Sequence, residues 1–87
     1  MAWTVELTPE AHASLKNIGA ADARRILKFL NRLEGRDNPR GIGASLKGSL
    51  REYWRYRVGD HRLFCRLEDK VVTVFVVHIA HRREAYK

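Results

Sequence analysis

From Ala20 to Leu33 the apolar residues return every three or four positions, at Ala23, Ile26, Leu27, Leu30 and Leu33, whereas from Glu52 onward they return every second one. The first spacing draws a stripe along a helix and the second draws one face of a strand, so a helical half precedes a sheet half. Ahead of the stripe, "AWTVEL" reads as a short strand. Thr8 then suits an N-cap and Pro9 the first helical position, where its missing N–H costs nothing. A first helix is predicted to about Lys16, ended by Gly19. Asp22 fits the first turn of a second helix, and Gly35 its C-terminal cap. Arg24, Arg25, Lys28 and Arg32 fall largely off the apolar stripe and read as a solvated face.

The segment "GRDNPRGIGASLKGS" is turn chemistry and reads as a connection, because neither side of it alone could bury a core. Beyond it, Trp54, Tyr56 and Val58 alternate with Tyr53, Arg55 and Arg57. After a turn at Gly59 and Asp60, Leu63, Cys65 and Leu67 alternate with Arg62, Phe64 and Arg66. This is a hairpin. A second turn at Glu68 to Lys70 leads into "VVTVFVVHIA", apolar on both faces as a central strand is. The predicted fold is α+β in the order β-α-α-β-β-β, a single domain over residues 1–87, with two N-terminal helices on one face of a mostly antiparallel sheet.

Alternation gives the hairpin two unlike faces. Trp54, Tyr56, Val58, Leu63, Cys65 and Leu67 are predicted to meet the helices, and Cys65 is therefore a buried structural thiol. Tyr53, Arg55, Arg57, Arg62, Phe64 and Arg66 are predicted to form an open surface. Four guanidinium groups there repel one another unless an anion lies among them, and their forks match phosphate oxygens. The interleaved rings supply platforms for unstacked bases.

Charge sharpens this reading. Seventeen Lys and Arg against ten Asp and Glu give +7, so an anionic partner is expected. The excess is clustered: residues 51–66 hold five arginines against Glu52 and Asp60, and "HRREAYK" adds three cations against Glu84. The longest apolar run, Val71 to Val77 interrupted by Thr73, is far short of a membrane span, and the N-terminus lacks a signal-peptide layout. A cytoplasmic location is expected. His78 and His81 lack the further ligands that a zinc site needs, and "GIGASLKG" lacks the ending of a phosphate-cradling loop, although Lys47 within it can add to an RNA footprint.

The stretch "LKGSLREYWRYRVGDHRLFCRLEDKVVTVFVVHIAHRREAY" resembles the C-terminal half of a RelE-type toxin of the RelE/ParE superfamily. The shared marks are a leucine-basic-glycine segment, an arginine-rich hairpin, a valine-rich strand and an ending of the form H-R-R-x-x-Y. The resemblance implies the RelE-like microbial RNase fold and the toxin of a type II toxin-antitoxin system. It also implies a ribosome-dependent endoribonuclease, an mRNA interferase, that cleaves translated mRNA without metal or other cofactor. In that chemistry the RNA's 2′-hydroxyl attacks the adjacent phosphate and the 5′-oxygen leaves.

Matched by position, the resemblance puts the catalytic roles on Arg55, Arg57, Arg62, Arg82 and Tyr86. Lys47, Arg51, Tyr53, Phe64, Arg66, His81 and Arg83 are the further residues expected to bind RNA. Well-known members carry lysine where this chain has Arg55 and Arg57. An arginine, with a pKa above about 12, clamps phosphate and does not take a proton. Tyr86, His81 and His61 are the candidates for that step.

The same scaffold serves ParE-like inhibitors of DNA gyrase, and a noncatalytic nucleic-acid-binding module would also fit the basic face. Partners implied by the resemblance are a cognate RelB-like antitoxin and the ribosome with its mRNA. A membrane is not among them, and DNA is reached only through the antitoxin.

Overall fold

The computed structural model describes residues 3–46 and 53–81. Strand β1 (Thr4–Leu7) leads into helix α1 (Pro9–Asn17) and helix α2 (Ala20–Glu34). A 3-10 turn at Pro39–Gly41 precedes the short strand β2 (Ala44–Ser45). Strands β3 (Tyr53–Val58), β4 (His61–Glu68) and β5 (Thr73–His81) follow, with a second 3-10 turn at Asp69–Val71. The five strands lie in the order β1-β5-β4-β3-β2. Pairing is antiparallel except between β1 and β5, which run parallel. The result is the expected α+β arrangement with one addition, the two-residue β2.

Local chemistry places the first boundary where expected. The Thr8 hydroxyl accepts from the Ala11 N–H at 3.3 Å and donates to the Val77 carbonyl at 3.0 Å. One side chain thus caps α1 and fastens it to the central strand. Gly19 enters α2 at a φ of 96°, a conformation open to glycine and costly for other residues. Gly35 closes α2 with its N–H directed at the Arg32 and Leu33 carbonyls.

The core lies between α2 and the sheet. Ile26, Leu30 and Leu33 of α2 are buried with Ala11, Tyr56, Val58, Leu63, Cys65, Val74, Val76 and Ile79. Leu27 departs from the expected stripe: it is 45% exposed, one position around the helix from Ile26, which takes the core side. Trp54 and Leu67 sit at the core margin, half-buried. Removal from water pushes the Cys65 thiol up to about 12.

The connection between α2 and β3 is held by polar contacts where it could otherwise drift. The Tyr56 hydroxyl donates to the Pro39 carbonyl at 2.7 Å, and the Trp54 indole N–H to the Ile42 carbonyl at 2.8 Å. Gly43, at a φ of 80°, packs so closely that a Cβ would come within 2.6 Å of the Arg55 carbonyl oxygen and of the Trp54 indole nitrogen. Arg40 forms a two-pronged ion pair with Asp69 at 2.9 and 3.0 Å and lies 5.9 Å from the Trp3 ring centre. Among the described residues no helix is long and apolar enough to cross a membrane.

Candidate nucleic-acid interface

Strand register decides which side chains share the face turned away from the helices. In the β3–β4 hairpin, Tyr53 pairs with Arg66, Arg55 with Phe64, and Arg57 with Arg62. On the other side of β4, Arg66 pairs with Phe75, Phe64 with His78, and Arg62 with Ala80. Three rows therefore cross the sheet: Tyr53–Arg66–Phe75, Arg55–Phe64–His78 and Arg57–Arg62–Ala80. Between the first and second rows a bulge inserts Val77 into β5, since Cys65 faces Val76 while Phe64 faces His78. An extra residue of this kind re-aims the side chains that follow it.

The rows build a groove. One section of about 600 Å3 is bordered by Tyr53, Arg66, Phe75, Val77 and Lys70 among others. A second of about 290 Å3 is lined by Leu46, Tyr53, Phe64, Val77 and His78. Tyr53 and Val77 belong to both, so the sections adjoin. The floor is aromatic and aliphatic, and Arg66, Lys70 and Glu68 stand at its side; on the same sheet face Arg57 is exposed and Arg55 half-buried. Arg66 pairs with Glu68 at 3.1 Å with both side chains in solvent, a contact that an incoming phosphate can displace at little cost.

Arg62 corrects the expectation of an open four-arginine surface. It is only 3% exposed. Its guanidinium folds back on the hairpin turn, where Nη1 donates to the His61 carbonyl at 3.2 Å and lies 3.4 Å from that of Gly59. Alternation assigns its face but does not fix whether the guanidinium stays in solvent, and here it does not. His61 is buried beside it and meets the His81 ring edge-on at 5.4 Å between centres. His81 itself is half-buried.

Of the residues expected from sequence, Tyr53, Phe64 and Arg66 line the groove, Arg55 is the cross-strand partner of Phe64, and Arg57 lies in the adjoining row. Lys47, Arg51, Arg82, Arg83 and Tyr86 lie outside the described residues. Phe75, Val77 and His78 were missed. Carrying the hairpin's alternation into β5 would have found Phe75, but the strand's continuous apolar character concealed any face, and the bulge shifts the phase before His78. Among the described residues no group of three or more His, Cys, Asp or Glu side chains is placed to hold a metal ion.

Two helices on one face of a mixed sheet, with a basic and aromatic opposite face, define the class: this is the fold of RelE toxins. The toxin-antitoxin complex RelBE2 from Mycobacterium tuberculosis matches with a TM-score of 0.84 and 25% identity over 94% of this chain and 93% of that one. The archaeal RelE–RelB complex from Pyrococcus horikoshii gives 0.73 and 26% identity over 94% and 97%. Toxin RelG of Mycobacterium tuberculosis is 26% identical over 87 residues, 100% of this chain and 99% of its own length. The chain belongs to the family described as the ParE toxin of the type II toxin-antitoxin system parDE, whose model matches residues 5–86. It is thus a type II toxin of the RelE/ParE superfamily.

Proposed function

We propose that this toxin is a ribosome-dependent endoribonuclease that cleaves translated mRNA in the cytoplasm and is neutralised by a RelB-like antitoxin. The observation that carries the reading is the groove, whose rings Tyr53, Phe64 and Phe75 share one sheet face with Arg55, Arg57 and Arg66. Single-stranded RNA needs both parts, rings for unstacked bases and guanidinium forks for phosphates. Its +7 charge would draw it toward the ribosome's RNA.

The reaction requires one proton removed from the 2′-oxygen, a P–O bond formed as the 5′ P–O bond breaks, and one proton delivered to the departing 5′-oxygen. The products are a 2′,3′-cyclic phosphate and a 5′-hydroxyl. In this reading Arg57 clamps the phosphate and Arg55 the neighbouring nucleotide. Arg62, the cross-strand partner of Arg57 with its guanidinium on the hairpin turn, acts as a positioning charge: it holds that turn and adds to the positive potential at the phosphate. Arg82 and Tyr86 complete the set by resemblance, Arg82 at the phosphate and Tyr86 in orientation or proton transfer.

Inhibition of DNA gyrase is the second reading, favoured by the parDE description of the matching family. Mapping mRNA 5′ ends after brief expression, with plasmid supercoiling in parallel, separates the two. Codon-phased cuts in translated messages are expected. Intact messages with gyrase-dependent DNA damage would replace the first reading by the second.

A further inference from the structure

At the narrow end of the groove, His78 is held in two ways at once. Its ring lies 5.9 Å from that of Phe64 between centres and is inclined by 27°, a stacked pair. Its Nδ1 lies 2.8 Å from the Glu10 Oε1, so a carboxylate from the first turn of α1 reaches across to the last strand. Both side chains remain substantially in solvent, 44% and 65%. Neither is needed to fill the core.

A carboxylate on Nδ1 fixes the ring's orientation and, in the neutral ring, its tautomer: Nδ1–H donates to Glu10, and Nε2 keeps a lone pair. Among the described residues, the section that His78 lines, about 290 Å3, is otherwise bounded by Leu46, Tyr53, Phe64 and Val77. An apolar, ring-lined slot with an oriented acceptor on its wall suits a planar heterocycle. Stacking holds any base there, while the acceptor distinguishes bases by their hydrogen-bonding edges.

The row containing His78 is one removed from that of Arg57 and Arg62. A two-residue step along a strand is about 7 Å, close to the separation of adjacent phosphates in an extended single strand. The slot therefore belongs to a nucleotide beside the scissile phosphate. Arg55, in the same row, supplies a cation for its backbone.

We infer that His78, oriented by Glu10 and stacked on Phe64, forms a base-reading subsite for the nucleotide flanking the cut. It prefers a base with an exocyclic amine over uracil, whose one donor, N3–H, is flanked by two carbonyl oxygens that face the same Nε2 lone pair. This rests on the endoribonuclease reading. Cleavage on translating ribosomes would be mapped for the native toxin, H78F, H78A and E10Q, with kcat and KM for a fixed message and circular dichroism to check folding.

H78F keeps the stacked rings and loses the acceptor, so discrimination against uracil at the flanking position should fall roughly three- to tenfold, the effect of one hydrogen bond. H78A should flatten the same position and also raise KM; E10Q should fall between native and H78F. An H78F profile identical to the native one, or a uniform loss of rate with an unchanged profile, would overturn the subsite and leave the nuclease reading standing. Absence of cleavage by the native toxin would overturn both.

Discussion

The Tyr56 hydroxyl donates to the Pro39 carbonyl at 2.7 Å, joining the middle of β3 to the loop that leaves α2. Burial raises the Tyr56 phenol above its ordinary range, so it stays a neutral donor at any physiological pH. Its ring also packs on Phe29, 5.3 Å between centres. Tyr56→Phe keeps that packing and strands the carbonyl. The expected cost is about 1–2 kcal/mol, a Tm drop of several degrees in thermal unfolding.

Arg57 and Arg62 are cross-strand partners with opposite exposure, which separates chemistry from stability. Arg57→Ala should reduce growth arrest and message cleavage sharply with unfolding unchanged, since an exposed side chain leaves no cavity. Arg62→Ala should also lose activity, but with a stability loss of about 1–3 kcal/mol, because it uncovers carbonyls that the guanidinium now satisfies. Activity and urea unfolding measured on both variants make the comparison. Equal stabilities would refute the burial argument.

The expectation of an open Arg62 rests on strand alternation, which assigns a face and nothing more. The architecture was legible because its signals are local: the Thr8-Pro9 helix start, the stripe at Ile26, Leu30 and Leu33, and the two-residue period through Trp54, Tyr56 and Val58. Strand order was not, because the parallel pairing of Thr4 with Thr73 and Leu7 with Val76 joins segments about seventy residues apart. His78 was hidden for a related reason. Its place opposite Phe64 follows from a bulge, and Glu10 reaches it only once α1 is docked.

The thiol of Cys65, at 0% exposure and pushed up to about 12, should be inert in the native protein. Labelling by an aromatic disulfide reagent at pH 8 should proceed only as fast as the chain opens, and become immediate in denaturant. Rapid stoichiometric labelling of the folded toxin would show that the core near β4 opens far more readily than its packing suggests.

The Arg40 guanidinium beside Asp69 holds its carboxyl below the usual carboxylate range. A lowered carboxyl favours the folded state at pH values above the unfolded pKa. That contribution is lost as pH falls through the folded value, which lies beneath the ordinary carboxylate range. Asp69→Asn should therefore destabilise at pH 7 and make little difference near pH 2. Denaturant unfolding at the two pH values tests the sign, and an equal effect at both would remove the ion pair from the account.

RNA affinity should weaken with salt in proportion to the phosphates clamped. For a single strand each neutralised phosphate contributes about 0.7 to the slope of log affinity against log salt. Arg66→Ala and Arg57→Ala should each lower the slope by about that amount in fluorescence-anisotropy titrations with a short oligoribonucleotide. A slope unaffected by either substitution would place the RNA elsewhere.

Strand β5 lies between β1 and β4, yet it is the last of the described strands in the chain. A nascent polypeptide emerging from its ribosome holds β1 and both helices long before their neighbour exists, and the groove lacks Phe75 and His78 until then. The sheet can close only once β5 has been made. A chain interrupted before residue 73 would carry no assembled groove, whatever length of the helical half had already folded.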